Sequence, residues 1–287
     1  MLAKSVFYLS ALVVLLLAPA SLTGQQTDYA GLHRSILRDA IDYEKDHGLV
    51  NFVLAEAYYK MAMISFHQKN YLQAKTEFEK ELSIRQQLSD TGVNKVKLIK
   101  ANYNVIVLHQ QLGKYKEAMP LALGYLNLVL AYYGTLHSET VDAYQLLAGL
   151  SYQLHRLVPQ ERYTTKAIDV LGKLPTVDSS KLINLLILKA GGYIELGDYE
   201  YGNELLMEIL DIVKKSKNLN PTLIAKLYNN IGSLRDNQHQ SAEALDYFRK
   251  ALTLRIKTGE DRHPGLIWIY DNMGVIHQKM KHYSISN

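Results

Sequence analysis

The chain has 287 residues, 48% of them hydrophobic and 21% charged, with a formal net charge of +4. This is an ordinary globular composition, long enough for one large domain or two average ones. The charge is too small and too scattered to form a phosphate-tracking stripe, so nucleic acid is not an expected partner. The absence of cysteine excludes disulfides, thiolate catalysis and Cys-type zinc sites.

Residues 1–24, "MLAKSVFYLSALVVLLLAPASLTG", combine one Lys, an apolar run from about Val6 to Leu17 and a small-residue tail. The pattern predicts a secretory signal peptide cleaved after Ala20 or Gly24, and so a secreted or periplasmic protein. The run is shorter than the roughly 20 apolar residues that span a bilayer, which leaves an uncleaved anchor helix as the alternative. No later stretch is long and apolar enough to span. Over residues 25–50, Leu32, Ile36, Leu37, Ala40 and Ile41 recur at helical spacing, predicting a capping helix over the unit that follows.

From residue 51 onward the chain repeats itself. The stretch "LGKYKEA" at 112–118 returns as "LGDYEYG" at 196–202, and more loosely as "QKNYLQA" at 68–74 and "QHQSAEA" at 238–244. Upstream of each lies a second helical pattern with a small-residue position, read as Ala62, Ile106, Gly149, Ala190, Gly232 and Gly274. The period is about 42 residues, which gives six units over residues 51–287. Each is a predicted helical hairpin, because apolar residues keep helical spacing on both sides of the turn, as in Ile231 and Leu234 before Ala244, Phe248 and Ala251. Helix starts are expected at Ser138, at Asp178 or Ser179, at Asn220 with Pro221, and at His263 with Pro264.

Small residues at fixed positions, Ala62, Ala74, Ala118, Gly149, Gly202, Gly232, Ala244 and Gly274, are expected where helices cross closely. A larger side chain there costs about 1–3 kcal/mol in overpacking. Gly232 and Ala244 are expected to face each other. The third unit departs, with Glu161 at the small position near Pro159; a distorted hairpin and a slipped register both remain open. The sixth unit has one helix, "LIWIYDNMGVIHQKM", and only the start of a second, "HYSISN", leaving Ile267, Tyr270, Met273 and Ile276 unsealed. This is expected of the front of a longer protein, or of a face open to self-association.

These residues resemble a tetratricopeptide repeat array. The fifth unit places Tyr228, Ile231-Gly232, Ala244, Phe248 and Ala251 where that family has its signature, and the first places Tyr58, Ala62, Tyr71, Ala74 and Phe78. The long period, residues 134–138 and the "NNIG" of 229–232 are similar to the kinesin-light-chain type. The resemblance implies an all-α, right-handed superhelical solenoid of antiparallel hairpins. It also implies a concave groove for a protein or peptide ligand, with no cofactor.

The resemblance assigns four positions of each first helix to that groove. They are Glu56, Tyr59, Lys60 and Met63; Lys100, Tyr103, Asn104 and Val107; Ala143, Leu146, Leu147 and Leu150; Asn184, Ile187, Leu188 and Gly191; Lys226, Asn229, Asn230 and Ser233; and Trp268, Asp271, Asn272 and Val275. The chosen binding residues are Lys100, Tyr103, Asn104, Lys226, Asn229, Asn230, Asp271 and Asn272. A carboxamide both donates and accepts, so Asn104, Asn230 and Asn272, alike in position, would pair with a peptide backbone whatever its sequence. The competing reading is that these Asn bond within and between the helices. Lys100 and Lys226 would attract an acidic side chain or C-terminus, and Leu146, Leu150 and Ile187 a hydrophobic anchor.

No catalytic constellation accompanies the repeats. Ten His are scattered without an H-E-x-x-H motif, and His277 with His282, five apart, reads as surface rather than as a metal pair. No strand pattern supports a phosphate loop or a nucleophile elbow. The 21 Tyr fall mostly at repeat positions and read as packing. The expected function is therefore a non-enzymatic protein-binding scaffold. The alternative is an extracytoplasmic sensor or oligomerisation region of a longer signalling protein.

Overall fold

The computed structural model describes residues 28–48, 50–88, 91–215, 219–258 and 265–285, the last without the side chains of Gly265, Trp268 and residues 281–285. The expected signal segment, the helix start at His263 and Pro264, and the side chains of Trp268 and His282 lie outside the described residues. Among those described, every regular element is an α-helix, twelve in all. They form two compact units, Met1–Leu88 and Ser89–Asn287.

The smaller unit contains α1 (Tyr29–His47), α2 (Phe52–His67) and α3 (Tyr71–Gln87). Its helices start where a side-chain oxygen takes up an otherwise orphaned N–H: Asp28 accepts from Gly31, Asn51 from Leu54 and Asn70 from Gln73. Ile36 and Ala40 of α1 pack with Leu54, Ala55, Ala57 and Met61 of α2.

The larger unit is a series of hairpins: α4 (Gly92–Gln111) with α5 (Tyr115–Tyr133), α6 (Ser138–Gln153) with α7 (Leu157–Gly172), α8 (Ser179–Glu195) with α9 (Tyr199–Lys215), and α10 (Pro221–Asn237) with α11 (Ser241–Lys257). A single helix, α12 (Gly265–Ile285), follows. It is continuous, so the second helix expected to begin at "HYSISN" does not start within it. Leu266, Ile269 and Ile276 of α12 are buried with Ala244, Phe248 and Ala251 of α11, whereas Ile267 and Tyr270 are exposed. Ile276 thus sits in the core rather than on an open face. The helix start expected at Ser138 is capped by His137, whose Nδ1 accepts from Glu139 N.

The turns inside the hairpins fix the register. Lys69, Gly113, His155, Gly197 and His239 all have left-handed backbone, with φ of 60°, 69°, 52°, 82° and 62°. Each turn closes the same way. The next residue's N–H reaches back five residues, as in Lys114 to His109 O and Gln240 to Arg235 O, which satisfies carbonyls that a helix end leaves unpaired. Gly113 and Gly197 adopt this geometry freely, while His155 and His239 do so at a cost of about 1–2 kcal/mol.

Counting seven back from each turn gives Ala62, Ile106, Ala148, Ala190 and Gly232, all buried. The third unit's small residue is therefore Ala148, not Gly149; a Cβ on Gly149 would meet nothing within 4 Å. The matching second-helix positions are Ala74, Ala118, Gln160, Gly202 and Ala244, so Gln160 rather than Glu161 holds the small position. Gln160 fits, at 2% exposure, because Gly192 on α8 has no side chain: a Cβ there would collide with the Gln160 amide oxygen. Gln160 Nε2 donates to Leu188 O at 2.8 Å. The third hairpin is regular, and the departure is one of register.

Close approach has a different partner than expected at Gly232. Its missing Cβ would lie 2.9 Å from the Phe248 ring, not against Ala244. Gly202 similarly clears Ile194 by 2.9 Å. Gly274 is exposed with nothing within 4 Å and is not a crossing position.

Candidate functional site

The first helices of the larger unit share one face across the repeat. With the corrected register, the sixth groove position falls on Asn104, Leu146, Leu188, Asn230 and Asn272, each 42 residues from the last. The fifth falls on Tyr103, Gln145, Ile187, Asn229 and Asp271. These faces border an open cleft of about 1060 Å³ lined from α4 to α12.

Lys100, Tyr103, Lys226, Asn229, Asn230 and Asn272 line the cleft. Asn104 and Asp271 do not. Asn104 is half-buried, with Nδ2 lacking any hydrogen-bond partner, and Asp271 is exposed. In the third unit Ala143, Leu147 and Leu150 are fully buried in the core, so the sequence register was one residue late. Asp142, Gln145, Leu146 and Gly149 line the cleft there instead. A shift of one residue turns a helix by about 100°, enough to exchange core for groove. In the smaller unit Glu56 pairs with Arg85 at 3.2 Å and Lys60 is buried.

The floor of the cleft is apolar at its middle. Leu146, Ile187 and Leu188 lie there with Gly149 and Gly191, which add no side chain. The Tyr152 hydroxyl stands 3.4 Å from where a Cβ on Gly191 would be. Two buried carboxamide oxygens, Gln145 Oε1 and Asn229 Oδ1, have no hydrogen-bond partner. Asn230 behaves differently, donating from Nδ2 to Ile187 O at 3.4 Å and so tying α10 to α8.

Second helices also reach the cleft, through Tyr125 and Tyr133 of α5 and Arg255 of α11. The sequence reading missed them because it counted only first-helix positions, and no spacing marks them. Tyr103 and Tyr125 face each other with ring centroids 5.8 Å apart. Burial is the main cause that pushes the Tyr125 hydroxyl well above its usual pKa, with Glu139 and Asp142 adding to it; the Tyr103 hydroxyl is raised by burial, then Asp142 and Glu139. Tyr152 is likewise raised, by burial and then by Glu195. Lys181 of α8 donates to Ser138 Oγ and Asp142 Oδ2, both at 2.7 Å. Among the described residues no group of three or more His, Asp or Glu is placed to hold a metal ion. None of the described helices is long and apolar enough to cross a membrane.

A family model for the tetratricopeptide repeat matches residues 223–285, and a second model of that description matches residues 55–88. Both matched stretches are tetratricopeptide repeats. This repeat chain is 31% identical over 125 residues to the regulatory protein RapD of Bacillus subtilis, a match covering 42% of the chain and 34% of RapD. It thus spans about a third of that relative's length. The apo form of the quorum sensor NprR from B. thuringiensis superimposes with a TM-score of 0.60 at 15% identity, covering 88% of this chain and 72% of that one. The TPR-like repeats of a putative kinesin light chain from Podosopora anserina do so with 0.54 at 14% identity, covering 70% and 95%. These two likenesses concern the fold.

Proposed function

We propose that the larger unit binds an extended peptide along its cleft. The observation that carries this reading is the pair of buried, unpartnered carboxamide oxygens, Gln145 Oε1 and Asn229 Oδ1, on either side of an apolar floor. A buried acceptor left unsatisfied costs about 1–3 kcal/mol, and a peptide N–H removes that cost. Gly149 and Gly191 let a backbone come close to α6 and α8, and Leu146, Ile187 and Leu188 offer contact to an apolar side chain. The scaffold is preformed, so the ordering cost falls on the peptide. Asn230 has a partner of its own, which makes Gln145 and Asn229 better probes of the groove than the Asn row.

Displayed random heptapeptides selected on the full chain would supply a ligand. Gln145→Leu with Asn229→Leu should weaken its binding by tenfold or more, on the order of one hydrogen bond each, without altering the helical circular dichroism. Unchanged affinity, or no enriched sequence, would reject the groove.

The likeness to a protein named as regulatory favours a second reading, in which the repeats act as the sensing or oligomerising part of a signalling protein. The exposed Ile267 and Tyr270 of α12 support self-association, which sedimentation of Tyr270→Lys against the parent would test. Export through residues 1–24 belongs to the same proposal. Fractionation of the native host, with the mature N-terminus sequenced, reads it.

A further inference from the structure

One corner of the cleft has a chemistry that the peptide-groove reading does not use. Glu139, Asp142 and Gln145 follow one another along α6 at helical spacing and all line the cleft. Opposite them stand Tyr103 of α4 and Tyr125 of α5. The polar atoms at this corner are short of donors. Glu139 is half-buried, and its carboxylate has no hydrogen bond or ion pair among the described residues. Gln145 Oε1 is buried and unpartnered. Tyr125 is only 2% exposed, and its hydroxyl has no partner among the described residues. Of the two carboxylates, Lys181 pairs with Asp142, donating also to Ser138 Oγ, and Lys100, one turn before Tyr103, has interactions of its own.

Such a set is complementary to a cation that carries several N–H groups. Its charge would rest over the face of Tyr103, as cations do on aromatic rings. Its N–H groups would reach the Glu139 carboxylate and Gln145 Oε1, and the Tyr125 oxygen would accept a further one. An anion would instead meet the Glu139 and Asp142 carboxylates. The raised hydroxyls of Tyr103 and Tyr125 report the same excess of negative charge after burial is counted.

Building on the groove reading, we propose that Glu139, Gln145, Tyr103 and Tyr125 form a subsite for a cationic N–H donor of the bound peptide. An arginine or lysine side chain and a free amino terminus share this chemistry.

The test needs no natural ligand. The full chain, with its tyrosines labelled with 13C, is titrated with n-butylguanidinium and n-butylammonium chloride, and with n-butanol as the uncharged control. The cations should shift the Tyr103 and Tyr125 ring signals to saturation and the alcohol should not. Glu139→Gln should weaken the cations about tenfold, as expected of a partly buried charge-assisted bond, and Glu139→Asp should recover part of the loss. Equal shifts with butanol, or cation affinity unchanged in Glu139→Gln, would overturn the subsite. A selected peptide then separates the two sources: acetylation of its amino terminus should abolish the Glu139 dependence in one case, and Arg or Lys to Gln replacement in the other. If neither change matters while the peptide still binds, the subsite is wrong and the groove stands. If no peptide is selected, the groove is wrong and the cation titration still decides the corner.

Discussion

Buried charged side chains in the smaller unit pair with one another, whereas in the cleft of the larger unit several polar groups face no partner. In the first, the Glu77 carboxylate receives Ser65 Oγ at 2.8 Å and Gln73 Nε2 at 3.0 Å, and contacts His33 Nε2 at 2.6 Å. Arg85, 2% exposed, donates to Glu81 at 2.7 Å and to Glu56 at 3.2 Å. In the second, Gln145 Oε1 and Asn229 Oδ1 are buried without a hydrogen-bond partner beside the cleft, and the Glu139 carboxylate lines it with none among the described residues. Both regions are built from the same hairpins, so the difference lies in use. Networks that close upon themselves hold helices together, and those left open are available to something else.

Arg85→Ala should show the largest effect, because it strands the buried Glu81 carboxylate. A loss of about 3–5 kcal/mol in chemical denaturation of the full chain is expected, while Arg85→Met with Glu81→Met should recover most of it. Little loss in the single variant would mean that the closed network is not structural.

A pair of glycine substitutions sharpens the contrast. Gly232→Val should cost about 1–3 kcal/mol in overpacking, since its Cβ would already lie 2.9 Å from the Phe248 ring. Gly149→Ala meets open space and should leave stability unchanged or raise it by up to about 1 kcal/mol through helix propensity, while narrowing the groove to a selected peptide. Thermal melts of the two variants read this directly.

The smallest effect is a titration outside the cleft. Tyr193 on α8 donates to Glu161 on α7, and that bond, more than burial or charge, pushes its pKa up to about 12. The folded state therefore favours the protonated phenol. The associated stability is present below pH 10 and is lost as the pH rises through 12. Glu161→Gln should bring the ultraviolet titration of Tyr193 back towards 10, and an unchanged titration would show that the bond is not its cause.

Much of this protein could be read from its sequence. The recurrence of "LGKYKEA" and its copies set the hairpin turns, and Gly113 and Gly197 stand at two of them in left-handed backbone. Asp178, and Asn220 with Pro221, cap or start helices where their chemistry predicted. Lys100, Tyr103, Lys226, Asn229, Asn230 and Asn272 reached the cleft because a periodic face carries its neighbours with it. The third unit was misread since "LLAGLS" offers two adjacent small residues, and either satisfies a local pattern.

The sequence by itself determined the all-α hairpin architecture, because apolar spacing of 3.6 residues and a turn every 42 are local signals written into the chain. Tertiary structure decided which of Ala148 and Gly149 meets the core, why Gln160 can replace a small residue opposite Gly192, and that Tyr125 reaches the cleft from a second helix. Those outcomes depend on what lies across the gap from each side chain. Neighbours in space, 28 to 43 residues away in the chain, fix that contact, and no local pattern records it.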